Sequence, residues 1–219
     1  MVRLCELLGV TTVVDIGANE GQFGRDLRAM RFRGRLISFE PLGEPFARLA
    51  RAAEGDSSWT AVRTAVSDVP GALTVHIAGN SVSSSVLPML AAHSKADPRS
   101  SYVGEEVVAA TTVDRLVAEH GLDPATSYLK VDVQGFESAV LDGAAGTLDR
   151  FAAVQLELSM VPLYDGQALI GEITDRMSAR GFELWILMPE FSDRATGRSL
   201  QCDGVYVRRD LIGPRLRTS

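Results

Sequence analysis

The sequence predicts an α/β fold in which a mostly parallel, seven-stranded sheet is covered by helices on both faces. Short apolar runs rich in β-branched residues alternate along the chain with segments of helical periodicity. Several of these runs are apolar at consecutive positions, as expected for strands that are buried on both faces. The last two runs have no helical segment between them, which predicts an antiparallel hairpin at the C-terminal end.

The individual elements follow from these patterns in chain order. Strands are predicted at TTVVDI, RLISFE, TAVRTAV, SYLKVDV, AAVQLEL, ELWILM and GVYVRR. Helices are predicted over 21–30, 44–54, 112–120, 135–142 and 166–180. The hairpin turn is expected within EFSDRATGRSLQCD.

One domain over 1–211 and a short tail over 212–219 are expected. A chain of 219 residues with 46% hydrophobic side chains can bury a sizeable core. Residues 68–111 interrupt the strand–helix alternation between the third and fourth core strands, with an extra strand at VPGALTVHIAG. Long connections in compact domains are often functional. We therefore predict an insertion here, with a mobile lid over 79–104.

Composition narrows the class of partner. The formal net charge of −6 argues against nucleic acid, because proteins that bind phosphates present basic surface. Cys5 and Cys202 are too few for a disulfide framework and lack the spacing of a metal site. The N-terminus does not read as a signal peptide, and no run approaches the roughly 18 apolar residues of a membrane span. We expect a cytoplasmic protein with no membrane partner.

The stretch VVDIGANEGQFG, residues 13–24, predicts a ligand-binding turn between the first strand and the first of these helices. Glycines at 17 and 21 let the backbone approach a ligand, toward which the helix directs its N–H groups. Asn19 stands where a dinucleotide fold has its second glycine. Asp15 would repel a pyrophosphate but suits a cation. The pattern favours S-adenosylmethionine over a nicotinamide dinucleotide.

Two later strand ends extend this cofactor site. Glu40 follows Gly17 at close to the spacing of about 20 residues at which an acidic residue accepts the ribose hydroxyls. The backbone of Val66 and Ser67, in AVSD, is expected beside the adenine. The complete predicted cofactor set is Asp15, Gly17, Ala18, Asn19, Gly21, Glu40, Val66 and Ser67.

The candidate catalytic residues are Asp132 and Glu157 at the ends of the fourth and fifth strands, with Lys130 beside them and His93 in the insertion. Ionisable residues on central strands are costly unless they are paired or lie near a ligand. A structural salt bridge is the alternative role for Lys130. Two neighbouring carboxylates repel, which raises one pKa or favours a divalent cation with oxygen ligands. Asp132 and Glu157 would be its ligands, and His93 is the alternative base.

Together the motifs resemble the FkbM-type family of Rossmann-like, class I S-adenosylmethionine-dependent methyltransferases. The matching stretches, VVDIGANEGQFG, ISFEP, AVSD, NSVSSSVLPM, YLKVDVQGFE and VQLELSMVPLYDGQ, occur in the family's order over roughly residues 8–190. Gln134 stands where the family often has Glu, so it is assigned no acid–base role. The resemblance implies O-methylation of a hydroxyl on a sugar or polyketide-type natural product, glycosylated acceptors included.

The residues alone leave three other classes of protein possible. A nicotinamide-dependent oxidoreductase could use the same type of sheet, although Asp15 and Asn19 argue against it. A nucleic-acid methyltransferase is disfavoured by the acidic composition. A non-catalytic cofactor-binding module is opposed only by the grouping of Lys130, Asp132 and Glu157.

Overall fold

A computed structural model describes residues 1–213 of the chain. Of the predicted tail over 212–219, residues 214–219 lie outside the described residues, including Arg215 and Arg217. Within the described part there are ten strands and seven α-helices. The strands are β1 (Thr12–Ile16), β2 (Arg35–Phe39), β3 (Trp59–Val62), β4 (Ala65–Val66), β5 (Gly71–Ala78), β6 (Tyr102–Thr111), β7 (Ser127–Val131), β8 (Ala153–Ser159), β9 (Phe182–Ser192) and β10 (Ser199–Arg208). The helices are α1 (Val2–Leu7), α2 (Gln22–Ala29), α3 (Gly43–Ala53), α4 (Ala91–Ala96), α5 (Val113–Glu119), α6 (Glu137–Asp142) and α7 (Ile170–Ala179).

The main sheet has seven strands in the order β3-β2-β1-β7-β8-β10-β9. Its first five strands run parallel, and β10 runs antiparallel to both of its neighbours. The predicted mostly parallel seven-stranded sheet and C-terminal hairpin are therefore confirmed. The hairpin strands are longer than predicted, so their loop shortens to residues 193–198.

The two faces of the main sheet are buried by different helices, as predicted. Val13 faces a cluster that includes Leu27 of α2 and Leu49 of α3, whereas Val14 faces one that includes Leu116 of α5. Burying one such side chain contributes about 1.5–3 kcal/mol. No helix of the described chain is long and apolar enough to cross a membrane.

A second sheet has the order β4-β6-β5 and corrects one of the predicted strands. TAVRTAV is not one strand, because its last two residues leave the main sheet and pair with β6. The extra strand predicted in the insertion is confirmed as β5. Strand β6, which pairs with β5, was not predicted, because YVGEEVVAAT has no apolar alternation at its start. This segment is a strand because it pairs with β5.

Helix boundaries differ from the predicted ones mainly at α7. The prediction began at 166, whereas the helix begins at Ile170. The side chain of Gln167 accepts hydrogen bonds from the backbone N–H groups of Leu163 and Tyr164, which holds this segment in a turn. The short helices α1 and α4 were not predicted at all.

Candidate active site

A cavity of about 480 Å³ lies at the carboxyl ends of the parallel strands, where open α/β sheets bind ligands. Small-molecule sites occupy roughly 300–1,000 Å³, so the cavity has a suitable size. The turns after β1, β2 and β7 line it on one side and the β8–β10–β9 edge on the other. Residues 79–90, which we call the strap, also contribute to its lining.

The turn after β1 is held in one conformation by backbone contacts. The N–H groups of Gly17 and Ala18 both donate to the carbonyl oxygen of Phe39, each at 3.0 Å. Gly17 has φ +77°, and a Cβ placed on it would lie 1.7 Å from the carbonyl oxygen of Asp132. Only glycine allows this approach of two chain segments. Gly17, Ala18 and Asn19 line the cavity as predicted.

Glu40 connects this turn to the next one. One carboxylate oxygen accepts from the backbone N–H of Asn19 and the other from that of Leu42, both at 2.9 Å. A carboxylate has about four acceptor positions. Because Glu40 lines the cavity, the two positions that remain are available to a ligand there. Burial raises the pKa of Glu40 to about 7 against the effect of these hydrogen bonds.

Asp15 does not line the cavity, which corrects its prediction as a direct cofactor contact. Its carboxylate is completely buried beneath the cavity, where it accepts from the Ser38 hydroxyl at 3.1 Å. Its other oxygen lies 3.7 Å from the ammonium of Lys130. Burial raises the pKa of Asp15, and Lys130 opposes that shift. Asp15 supports the site by anchoring Lys130.

Gly21 and Ser67 also lie outside the cavity lining, so the structure does not place these two predicted cofactor residues against it. Gly21 begins α2 with φ +81°, and a Cβ on it would approach Leu49 at 3.0 Å. Glycine is therefore needed here for the left-handed backbone of the turn and for the close packing against Leu49. The backbone N–H of Ser67 donates to Thr111 at 2.8 Å and is therefore unavailable to a ligand. Val66 does line the cavity.

Lys130 forms the salt bridge that was the alternative to a catalytic role. Its ammonium lies 3.1 Å from Asp132, in addition to its contact with Asp15, and 5.3 Å from the centre of the Phe23 ring. Burial disfavours the charge, but the two carboxylates outweigh it and raise the pKa of Lys130. A permanently charged lysine cannot accept a proton, so its contribution is to hold Asp132.

Asp132 and Glu157 meet at the cavity through Gln134. The Gln134 amide donates to Asp132 Oδ1 at 3.0 Å and to Glu157 Oε1 at 2.8 Å. The hydroxyl of Tyr164 lies 2.9 Å from Gln134 Oε1, which fixes the orientation of the amide. Gln134, set aside from the sequence, thus bridges the two candidate carboxylates. Tyr164 was missed, although it lies within the motif VQLELSMVPLYDGQ.

Glu157 is the second carboxyl group of this cluster. Burial raises its pKa well above the ordinary value, and the charges of Asp132, Glu137 and Asp203 raise it further. Its second oxygen, Oε2, is buried and has no hydrogen-bond partner. Glu157 therefore retains a proton at a pH where an exposed glutamate is ionised.

The expected divalent cation finds no support in this arrangement. The space between Asp132 and Glu157 is bridged by the Gln134 NH₂ group, and the Lys130 ammonium takes another Asp132 oxygen. Both are donors, which occupy the positions a cation would need. Among residues 1–213, no group of three or more His, Cys, Asp or Glu side chains could hold a metal ion.

His93 lines the cavity from α4. Its ring packs edge-on against Tyr164 and Phe191, with centroid distances of 5.2 and 5.1 Å. Its Nδ1 is buried without a partner. Burial lowers the pKa of His93, which keeps the imidazole neutral and able to accept a proton.

The far wall of the cavity contains polar residues that the sequence analysis missed. Asp203 of β10 pairs directly with Glu157 of β8, and the Gln155 amide donates to Asp203 Oδ2 at 2.7 Å. Burial, followed by the charge of Asp132, raises the pKa of Asp203 to about 6. Glu190 and Gln201 complete this wall. The pairing of β10 with β8 brings Asp203 and Gln201 to the site, and the pairing of β9 with β10 brings Glu190.

The strap is attached to the cavity on the side of Gln134 and Tyr164. The hydroxyl of Ser85 donates to the Gln134 carbonyl at 2.7 Å, and that of Tyr164 lies 3.1 Å from the Ser83 carbonyl. In the described chain, four non-glycine residues have positive φ. Of these, Asn19, Ser81 and Gln134 line the cavity. Such backbone strain concentrates at functional sites.

This fold, a mostly parallel sheet with a cavity at the carboxyl ends of its strands, is Rossmann-like. The family model described as Methyltransferase FkbM domain matches residues 15–184, which is most of the chain. The chain belongs to the FkbM methyltransferase family, and the resemblance drawn from its motifs is confirmed.

Solved structures agree on the fold. The methyltransferase FkbM from Methylobacillus flagellatus KT is similar with a TM-score of 0.54 and 14% identity, over 90% of this chain and 44% of the other. This chain therefore spans less than half the length of that protein. TrmK from M. capricolum, solved with S-adenosyl-homocysteine, is similar with a TM-score of 0.51 and 6% identity, over 95% and 68%. No curated protein sequence matches the chain.

Proposed function

We propose that this chain is an S-adenosylmethionine-dependent O-methyltransferase that acts on a hydroxyl of a sugar or polyketide-type natural product. The observation that carries the proposal is a single cavity that joins Glu40 at one end to the Asp132–Gln134–Glu157 cluster at the other. The first end suits a nucleoside and the second suits an acceptor hydroxyl. Family membership supports methyl transfer as the reaction.

The residues of the first end fit the cofactor. The two free acceptor positions of Glu40 suit the ribose hydroxyls, and the backbone at Gly17, Ala18 and Asn19 suits close approach of the ligand. Val66 offers an apolar surface to the adenine. The bound cofactor supplies an activated methyl group on a sulfonium. The similar fold of TrmK from M. capricolum, solved with S-adenosyl-homocysteine, supports this assignment.

The residues of the second end align and deprotonate the acceptor. An aliphatic hydroxyl is a poor nucleophile near neutral pH, so a positioned base accelerates its reaction. Asp132 is the base in this proposal, because Lys130 and Gln134 each hold one of its oxygens at the edge of the cavity. Glu157, which retains its proton, orients the acceptor oxygen through Oε2. His93 is the alternative base.

Calorimetry with S-adenosylmethionine, S-adenosylhomocysteine, NAD and NADP tests the cofactor. The first two are expected to bind, and tighter binding of either dinucleotide would overturn the proposal. Mass spectrometry of a panel of hydroxyl-bearing glycosides and polyketides, incubated with the protein and S-adenosylmethionine, then tests the reaction. The expected product carries one added methyl group on oxygen. Binding of the cofactor without transfer to any oxygen, nitrogen or carbon acceptor would favour a binding module.

A further inference from the structure

Three polar atoms at the β8–β10 end of the cavity are buried without a hydrogen-bond partner. They are Glu157 Oε2, His93 Nδ1 and Gln201 Nε2. Their residues are only 6%, 2% and 2% exposed, and all three line the cavity. An unpaired buried polar atom is unfavourable, so this end is arranged for a ligand that supplies the missing partners.

The same end has an excess of negative charge. Asp203 lies directly opposite Glu157 across the two strands, and Glu190 of β9 also lines the cavity, where its charge adds to the rise in the Asp203 pKa. Lys130 is the one Lys or Arg side chain among the described residues that line the cavity. Its ammonium is already shared between Asp132 and Asp15. Lys130 also lowers the pKa of Asp203 and of Glu190, but it forms its ion pairs with Asp132 and Asp15, not with the carboxyl groups of this wall.

The pKa values of Asp203 and Glu190 reflect burial and this excess of negative charge. Burial and the charge of Asp132 raise the pKa of Asp203 to about 6, and the same two causes raise the pKa of Glu190. A cation bound beside them would stabilise the ionised carboxylates and lower both pKa values, whereas a second anion would raise both values further.

The cofactor is too short to be that cation. Glu40 directly follows β2 and Asp203 lies on β10, and these two strands are four strand spacings apart, or about 19 Å. About eight covalent bonds join a ribose hydroxyl of S-adenosylmethionine to its ammonium, which limits their separation to about 10 Å. With the ribose at Glu40, the ammonium does not reach Asp203. The acidic wall belongs to the acceptor.

Resting on the proposed function, we propose that the acceptor carries a protonated amine near the hydroxyl that is methylated, as in an amino sugar. Asp203 and Glu190 bind the amine, while Glu157 and Asp132 bind the hydroxyl. Gln201 Nε2 donates to a further ligand oxygen. Acceptors with a carboxylate or phosphate at this position are excluded by repulsion from the wall.

Calorimetry with small probes tests the preference, with and without S-adenosylhomocysteine. The probes are methyl glucosaminide and methyl galactosaminide, their N-acetyl derivatives, and methyl glucuronide. We expect each amine to bind at least about tenfold more tightly than its N-acetyl derivative, the effect of one hydrogen bond to a charged group. The glucuronide is expected not to bind. Equal affinity for amine and N-acetyl probes, or no amine binding, would overturn the proposal.

Two variants assign the preference to the wall. Asp203→Asn and Glu190→Gln are expected to lose most of the amine preference and keep their affinity for S-adenosylhomocysteine. Glu183→Gln, an exposed position on the same strand β9, is the matched control and should bind as the wild type does. Weaker S-adenosylhomocysteine binding by Asp203→Asn would place this carboxylate with the cofactor instead, and overturn the inference. Failure of the wild type to bind S-adenosylhomocysteine contradicts the proposed function. In that case the amine preference measured without S-adenosylhomocysteine still tests the acidic wall by itself: a preference supports the inference, and its absence overturns it.

Discussion

The two ends of the cavity differ in how their polar groups are satisfied. At the β1–β2 end, both oxygens of Glu40 accept backbone N–H groups, and the turn after β1 is hydrogen-bonded to Phe39. At the β8–β10 end, Glu157, His93 and Gln201 each keep a buried atom without a partner. Leaving such an atom unpaired costs about 1–3 kcal/mol. Asp15 Oδ1, which lies beneath the first end and 3.7 Å from the Lys130 ammonium, also lacks a hydrogen-bond partner, so the contrast holds for the groups that line the cavity. Among those groups, the first end is preformed by the chain itself, whereas in our proposal the second is completed by its ligand.

The largest expected effect follows from breaking the preformed end at Gly17. In Gly17→Ala the new Cβ would lie 1.7 Å from the Asp132 carbonyl oxygen, a backbone atom that cannot move without displacing the turn after β7. We expect a loss of more than about 4 kcal/mol in the free energy of unfolding, measured by urea denaturation.

Gly55→Ala is the matched control for this variant. Gly55 has a similar φ of +82°, but a Cβ there would meet nothing within 4 Å. It should lose only the cost of left-handed backbone, about 1–2 kcal/mol. Equal losses in the two variants would show that backbone strain, rather than the contact with Asp132, accounts for the requirement at Gly17.

The next largest effect concerns the base at the other end. At saturating cofactor, Asp132→Asn is expected to lower kcat about 10²–10⁴-fold, because the amide cannot accept the acceptor proton. The kcat of Glu157→Gln is expected to fall less, since a protonated carboxyl group and an amide are similar in shape and both donate a hydrogen bond. Steady-state turnover of both variants and of His93→Ala provides the comparison.

One result would change this assignment of the base. If Asp132→Asn and Glu157→Gln keep wild-type turnover and His93→Ala loses it, His93 is the base. The effect of EDTA on the wild type tests the metal separately. No effect is expected, because Gln134 and Lys130 take the positions that a cation would need.

The preformed end was largely predictable, because it is built from local signals. Gly17, Asn19 and Glu40 are each recognisable from the pattern of one strand and the turn after it. Asp15 shows where this reasoning fails. Its motif position is correct, but its carboxylate points beneath the cavity to Lys130, and burial can be known only from the packing of neighbouring strands.

The second end was only partly predictable, because it depends on contacts between distant segments. The strand ends at Asp132 and Glu157 were identified, and the structure brings them together. The bridging role of Gln134 depends on Tyr164, 30 residues later. Asp203 reaches the wall through the register of an antiparallel pair, which the local sequence does not specify.

A smaller effect is expected from altering the cofactor contact without removing the side chain. Glu40→Gln replaces one acceptor oxygen by an NH₂ group that faces a backbone N–H of Asn19 or Leu42. Affinity for S-adenosylhomocysteine should fall by about 1–3 kcal/mol, measured by calorimetry. Glu44→Gln, on an exposed glutamate in the first turn of α3, should bind normally.

The same carboxylate predicts a pH dependence of binding. In the proposed cofactor site the ionised form of Glu40 accepts the ribose hydroxyls, and burial raises its pKa to about 7. Affinity for S-adenosylhomocysteine should therefore be highest above pH 7 and decrease as the pH falls through 7. A constant affinity from pH 6 to 8, a range of about one unit on either side of the pKa, would contradict the contact.

A still smaller effect is expected from Tyr164→Phe, which removes a hydroxyl near both Gln134 and the strap. Turnover should fall about fivefold to tenfold, the effect of losing about 1 kcal/mol of positioning. Affinity for S-adenosylhomocysteine should not change. Tyr206→Phe is the control, because its hydroxyl contacts Thr174 outside the cavity lining at 2.9 Å. It should affect stability and leave turnover intact.

The smallest expected effect tests the lid predicted over 79–104, measured by amide hydrogen exchange. The strap is held at Ser83 and Ser85 on the catalytic side, but near the cofactor turn its contact is the longer one of 3.5 Å from Asn19 to Ser81. S-adenosylhomocysteine should therefore slow exchange at residues 80–82 and leave residues 83–87 nearly unchanged, since local opening precedes exchange. Slowing confined to 83–87 would place the moving part over the acceptor instead. Unchanged exchange throughout 79–104, with cofactor and with an amine probe added, would make the segment a fixed part of the cavity wall.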